Sequence, residues 1–85
     1  MSEELELNRL RWRCRRGMLE LDLLLLPFFD EVYRELSAER QQAFILLLEQ
    51  EDPDLLQWFS RKSEPEDPSL QALVNFMLKR VQPPS

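Results

Sequence analysis

Hydrophobic residues recur along the chain at the three- and four-residue intervals of amphipathic helices, and prolines or acidic residues separate these stretches. The second stretch has its apolar stripe at Leu21, Leu25, Phe28, Phe29, Val32, Tyr33 and Leu36. The fifth has its stripe at Leu70, Leu73, Val74, Met77, Leu78 and Val81. These patterns predict an all-α fold, a compact single-domain bundle of about five helices.

Local signals set the expected ends of the first two helices. The first helix, about residues 4–15, should stop near Gly17, the residue type favoured for a left-handed helix C-cap. The second, about residues 18–36, contains Pro27, which should kink it or divide it in two. We expect its apolar run at residues 23–29 to be core.

The remaining helices have recognisable starts. Ser37 can cap the third helix. Asp52-Pro53 and Asp67-Pro68 each place an aspartate before a proline, which predicts an aspartate N-cap for the fourth and fifth helices.

The whole chain of 85 residues is too short for two domains, so we predict one domain over residues 1–85. Its ordered core should cover about residues 5–81, with a short flexible tail at residues 82–85.

Several residue types that enzymes need are absent or rare. The chain has no histidine, one cysteine and one glycine. This composition excludes a zinc site of Cys and His ligands, a Ser-His or Cys-His nucleophile pair and a glycine-rich phosphate loop. We therefore predict a protein that is not an enzyme, with no metal site and no stably bound cofactor.

The same composition bears on location. The lone Cys14 cannot form an internal disulfide, which fits a reducing compartment. The acidic start differs from a signal peptide, and the apolar run at residues 23–29 is far shorter than the roughly 20 residues of a membrane span. We expect a cytoplasmic protein without membrane insertion.

Positive charge is concentrated in the first predicted helix. The net charge is -5, yet five arginines lie within eight residues: Arg9, Arg11, Arg13, Arg15 and Arg16. From Gly17 onward the chain has 6 basic and 13 acidic residues, a balance of -7. Such an acidic remainder would repel phosphate backbones, and no nucleic-acid recognition motif accompanies the arginines. We therefore expect a protein partner and no nucleic acid.

A helical projection divides the first helix into two faces. Leu7, Leu10 and Cys14 share the predicted core face, and the opposite face carries Trp12 with Arg9, Arg13 and Arg16. An exposed aromatic residue among arginines is typical of protein-interface hot spots. The alternative is that Trp12 lies flat against a neighbouring helix while the arginines only solvate the surface.

One sequence motif resembles a known family. The run Arg16-Gly17-Met18-Leu19-Glu20 follows Trp12 and Cys14-Arg15 and precedes Leu21-Asp22. It resembles the RGxxE signature of the succinate dehydrogenase assembly factor 2 family, known in bacteria as SdhE. The similarity continues through Pro27-Phe28-Phe29, Leu47-Leu48-Glu49 and Asp52-Pro53-Asp54-Leu55 to Trp58.

This resemblance implies a small helical FAD assembly factor. We expect the free protein to be a monomer, although the sequence does not decide whether it dimerises. Such a factor binds the flavoprotein subunit of succinate dehydrogenase, in bacteria often also that of fumarate reductase. It promotes covalent attachment of FAD to a histidine of that partner as a dedicated chaperone. The residues that the resemblance assigns to partner binding and flavinylation are Arg16, Gly17 and Glu20, flanked by Trp12, Arg15 and Asp22. Arg9 and Arg13 would extend the binding face.

Three questions stay open on the sequence alone. The factor could align FAD and histidine only by binding the partner, or Arg16 and Gly17 could approach the flavin directly. Alternatively, Gly17 is only a helix cap and Arg16 and Glu20 form only a surface ion pair. A different class of function, a regulatory adaptor or antitoxin-like protein, would use the same basic helix face without flavin.

Overall fold

Five α-helices make up most of the described chain. The computed structural model describes the backbone of residues 2–81 and the side chains of residues 4–80. The helices are α1 (Ser2–Cys14), α2 (Leu19–Val32), α3 (Ala38–Leu48), α4 (Asp52–Phe59) and α5 (Pro68–Val81), with a 3-10 turn at Tyr33–Glu35. The all-α prediction is confirmed. The predicted tail at residues 82–85 lies outside the described residues.

Two of the three predicted caps are confirmed. The Ser37 hydroxyl accepts a hydrogen bond from the Arg40 backbone N–H at 3.3 Å. The Asp67 carboxylate accepts one from the Ser69 backbone N–H at 2.8 Å. The hydrogen bonds from Ser69 lower the pKa of Asp67. These caps form because each needs only residues within one helical turn.

The predicted Asp52 cap is wrong. Helix α4 begins one residue earlier than expected, with Glu51 at the N-cap position. The Glu51 carbonyl accepts the first helical hydrogen bond, from Leu55 N–H at 3.1 Å. The Asp52 carboxylate binds Arg16 instead.

Proline does not divide the second helix. Helix α2 runs without a break through Pro27 and changes to the 3-10 turn only at Tyr33. A proline removes a single helical hydrogen bond. Buried side chains on both sides of it, among them Leu25 and Phe28, hold the helix against the core.

A left-handed residue follows each of two helices, α1 and α4. Gly17 has φ +78, as predicted, although α1 itself ends at Cys14 and residues 15–18 form the connection to α2. Arg61, after α4, has φ 63, which the sequence does not signal because the residue is not glycine. Lys62 N–H donates to the Gln57 carbonyl at 2.9 Å, so the chain closes α4 with a Schellman motif.

The core lies where the five helices meet. Helix α1 packs on α2 and α3, α3 on α5, and α4 on both α2 and α5. The fully buried side chains are Cys14, Leu21, Leu25, Phe44, Leu47, Leu55, Leu73 and Met77. Phe29 stacks on Tyr33 with ring centroids 4.9 Å apart, and Phe44 lies beside both. Within residues 2–81 no helix is long and apolar enough to cross a membrane.

Candidate functional site

The α1–α2 turn, residues 15–18, carries the first three residues of the RGxxE motif, and the last two, Leu19 and Glu20, begin α2. The Arg16 backbone N–H donates to the Asp22 carboxylate at 2.7 Å, and Asp22 N–H donates to the Met18 carbonyl at 2.9 Å. Asp22 therefore binds the turn from the first turn of α2. Gly17 is exposed, and a Cβ built on it meets no atom within 4 Å. The turn consequently presents bare backbone to the outside.

The Arg16 side chain points into the protein. Its Nε donates to Asp52 Oδ1 at 2.7 Å, Nη1 to the Leu48 carbonyl at 2.8 Å and Nη2 to the Gln50 carbonyl at 2.5 Å. A longer bond of 3.3 Å joins Nη1 to the Arg13 carbonyl. We define the Arg16 socket as the three acceptors of the shorter bonds: the Leu48 carbonyl, the Gln50 carbonyl and the Asp52 carboxylate.

The end of α3 explains why an arginine fits this socket. The last carbonyls of a helix lack intrahelical partners, and they carry the negative end of the helix dipole. A planar guanidinium has five donors in fixed directions. It can therefore reach the Leu48 carbonyl at the end of α3, the Gln50 carbonyl just beyond it and the Asp52 carboxylate at once. The Arg16 side chain is accordingly only 14% exposed.

One prediction and one alternative for Arg16 are therefore wrong. It does not share the exposed face with Trp12, because α1 ends at Cys14 and helical geometry no longer orients Arg16. It also forms no ion pair with Glu20; its carboxylate partner is Asp52. Glu20 is exposed and pairs with none of the described basic side chains.

Trp12 lies on the surface, as the helical projection predicts. Its side chain is 70% exposed, so the alternative of flat packing on a neighbouring helix is wrong. The Arg15 guanidinium lies over the indole with Cζ 5.4 Å from the ring centroid. Trp12 and Arg15, with Asn8 and Arg11, line a shallow depression on α1.

The other α1 arginines differ in their contacts. Arg9 and Arg13 are exposed, as predicted. Arg11 binds both carboxylate oxygens of Asp30 on α2, at 2.9 and 3.0 Å, which lowers the pKa of Asp30. The sequence does not indicate this pair because its residues are 19 positions apart.

Two leucines at the start of α2 are exposed although we expected part of this region to be core. The exposed fraction is 72% for Leu19 and 62% for Leu23. The core prediction for residues 23–29 is wrong at Leu23 and Pro27, because a helix buries one face and these positions lie on the other. Leu19 lies inside the motif, and the sequence reasoning did not assign it a role.

The remaining candidates lie in the interior. Cys14 is fully buried, and burial raises the pKa of its thiol to about 12, so the group is a packed apolar side chain and not a nucleophile. Trp58 is half-buried and packs against the core. Among the described side chains, no group of three or more Cys, Asp or Glu residues is arranged to hold a metal ion.

Comparison with known proteins identifies relatives over nearly the whole chain. The family model described as flavinator of succinate dehydrogenase matches residues 8–81. The chain is 55% identical to the FAD assembly factor SdhE of Pseudomonas aeruginosa, over 98% of this chain and 99% of that protein. It is 52% identical to the protein of the same name from Pseudomonas putida, with the same coverage. The corresponding protein of Shewanella oneidensis is 48% identical, over 95% of this chain and 99% of that protein.

Proposed function

Because the chain belongs to the family of flavinators of succinate dehydrogenase, we propose that it binds the flavoprotein subunit of that enzyme and promotes covalent attachment of FAD to it. It acts as a dedicated assembly factor, a chaperone for its partner, and not as an enzyme. The observation that carries this function is the family match over residues 8–81, at high identity to proteins named FAD assembly factor.

The proposed contact surface is the docking corner, which we define as the exposed residues Trp12, Arg15, Gly17 and Glu20. Its composition supports the assignment. Tryptophan and arginine are the residues most enriched among binding hot spots, and Trp12 and Arg15 stack on each other. Gly17 adds a stretch of backbone that a partner can approach without meeting a side chain. Arg9 and Arg13 extend the corner with positive charge.

The contacts of Arg16 favour one of the two mechanisms. FAD is cargo here, and the acceptor histidine belongs to the partner, since this chain contains none. The Arg16 guanidinium already donates to three acceptors of its own protein, so reaching a flavin would require breaking the socket. We therefore propose that the factor holds a conformation of the partner in which FAD and histidine are aligned. Such orientation can contribute several kcal/mol to lowering a barrier.

Three finer points belong to the same proposal. The factor serves the fumarate reductase flavoprotein as well, is a monomer when free and works in the cytoplasm. The first follows from the family resemblance, and the second keeps the expectation drawn from the sequence. The third is supported by the single, unpaired Cys14.

Covalent flavin on the partner tests the proposal directly. The flavin fluorescence of the succinate dehydrogenase flavoprotein subunit is compared on a denaturing gel, in cells with the protein, without it, and with Gly17→Arg. We expect the signal to fall without the protein and to stay low with Gly17→Arg. An undiminished signal in all three would instead support the adaptor or antitoxin-like function.

Gly17→Asn is the matched control for backbone strain. Asparagine tolerates positive φ better than most residues and is far smaller than arginine. The structure leaves space for a side chain at Gly17, so neither variant clashes with the protein itself. Gly17→Asn should retain most of the signal, and circular dichroism should show both variants folded. Equal loss in both folded variants would exclude steric blocking of a partner as the cause.

A further inference from the structure

Two aspartates hold the motif turn from opposite sides. Asp22, in the first turn of α2, accepts the Arg16 backbone N–H at 2.7 Å. Asp52, at the start of α4, accepts the Arg16 Nε at 2.7 Å. One bond restrains the backbone of the turn and the other restrains its side chain, so Arg16 is tied at both ends.

The Arg16 socket joins two parts of the fold that are distant in sequence. Its acceptors lie 32, 34 and 36 residues after Arg16, at the corner between α3 and α4. Asp52 is the only charged member of the socket. Its negative charge strengthens the hydrogen bond and draws the guanidinium into the plane from which it also reaches the two carbonyls.

Other contacts hold the two ends of the turn: Arg15 N–H donates to the Trp12 carbonyl at 3.0 Å, and Met18 packs against the core. Its middle, Arg16 and Gly17, depends on the bonds that Arg16 makes. Residues 15–18 lie outside both helices, and Gly17 is exposed at positive φ with no atom within 4 Å of a built Cβ. A glycine-containing connection without these bonds would sample many backbone conformations. A partner would then bind only the fraction of molecules with the correct turn, and its apparent affinity would fall by that fraction.

We propose that Asp52 and Asp22 are positioning residues for the docking corner: they keep the Arg16–Gly17 turn in the conformation that the partner binds. This inference rests on the proposed function and extends it to α4, a helix outside the motif. Neither aspartate touches the partner or the flavin; each acts through Arg16.

The test uses the full-length factor with purified flavoprotein subunit and FAD. The rate of covalent flavin formation is measured against factor concentration, which separates the half-saturating concentration from the maximal rate. The variants are Asp52→Ala and Asp22→Ala. Asp54→Ala is the matched control, because it also removes a carboxylate from the first turn of α4 but makes no contact with Arg16.

A less restrained Arg16–Gly17 turn should lower the affinity of the factor for the flavoprotein subunit. The complex, once formed, should align FAD and histidine as before. We expect Asp52→Ala and Asp22→Ala to raise the half-saturating concentration about tenfold, the equivalent of one charge-assisted hydrogen bond, with the maximal rate unchanged. Asp54→Ala should change it less than about twofold. The double variant Arg16→Ala/Asp52→Ala should be no worse than Arg16→Ala, because Asp52 acts only through Arg16.

Amide hydrogen exchange supplies a readout that a general loss of stability would not reproduce. Exchange at the Arg16 amide, which donates to Asp22 in the wild-type turn, should quicken in both aspartate variants while amides of α3 and α5 stay protected. Faster exchange throughout the protein would show a purely structural role and overturn the proposal. So would a half-saturating concentration for Asp52→Ala equal to that of Asp54→Ala.

A failure of the proposed function is distinguishable from a failure of this inference. If the wild-type factor does not raise covalent flavin, the proposed function is wrong. The exchange data still decide whether the two aspartates hold the turn. If the wild-type factor is active and the aspartate variants match it, only the positioning role is wrong.

Discussion

Replacing Arg16 with alanine removes the guanidinium that ties the α1–α2 turn to the α3–α4 corner. The change deletes the bond to the Asp52 carboxylate and the bonds to the Leu48 and Gln50 carbonyls. It leaves the Asp52 carboxylate without its cation, and it leaves the Leu48 carbonyl at the end of α3 and the Gln50 carbonyl just beyond it without this donor. The stability of the protein should therefore depend on a side chain that the motif alone would assign to partner binding.

The expected loss follows from the burial of these groups. The side chains of Arg16 and Asp52 are 14% and 32% exposed, so water replaces the lost bonds only in part. A hydrogen bond to a charged group contributes about 1.5–3 kcal/mol, and the abandoned carbonyls add desolvation that is no longer compensated. We expect Arg16→Ala to lower the free energy of unfolding by about 2–4 kcal/mol. The free energy of unfolding of an 85-residue protein is about 4–13 kcal/mol. The variant should therefore still fold but be markedly less stable.

Urea unfolding followed by circular dichroism measures this difference. Arg16→Lys should lose about half as much, because an ammonium keeps the charge but cannot reach three acceptors at once. Arg9→Ala removes an exposed arginine of α1, outside the turn, and should stay within about 0.5 kcal/mol of the wild type. If Arg16→Ala also stayed within 0.5 kcal/mol, the guanidinium would not be a structural link and the reasoning would be refuted.

Three further predictions follow from the structure. Trp12→Ala should weaken binding of the flavoprotein subunit by about 30-fold or more in a fluorescence titration, without loss of stability. Leu5 is 60% exposed and lies outside the docking corner, so Leu5→Ala should leave both binding and stability unchanged. Arg61→Gly should raise the free energy of unfolding by about 0.5 kcal/mol, measured in urea, because Arg61 has φ 63 and glycine adopts this conformation without strain. The Cys14 thiol, with a pKa of about 12, should react with thiol reagents at pH 8 only in denaturant. The unfolded state loses the thiol proton near pH 9, whereas the folded state keeps it. The free energy of unfolding should therefore fall as pH rises from about 9 to 12, and this fall should be smaller in Cys14→Ala.

The local features of the fold are predictable from neighbouring residues. The Ser37 and Asp67 caps, the left-handed Gly17 and the stripe that buries α5 each depend on groups within about four positions in the chain. The exposure of Trp12 also follows from the helical period, because Cys14 on the opposite face is fully buried. The motif around Gly17 indicates the family by itself, and the matched relatives confirm it.

The errors have a common physical cause, which is contact between residues far apart in the chain. Of the two effects expected of Pro27, only the division of α2 is wrong, because packing keeps the helix unbroken. Leu23 is exposed because the core lies on the other side of α2. Asp52 looks like a helix cap until Arg16 approaches it from 36 residues away. A local pattern states which bonds a side chain can make, whereas only the tertiary arrangement decides which partner is within reach. For this protein the sequence alone identifies the motif turn. Only the packing of the α3–α4 corner beside that turn decides that the Arg16 side chain is largely buried and holds the two parts of the fold together.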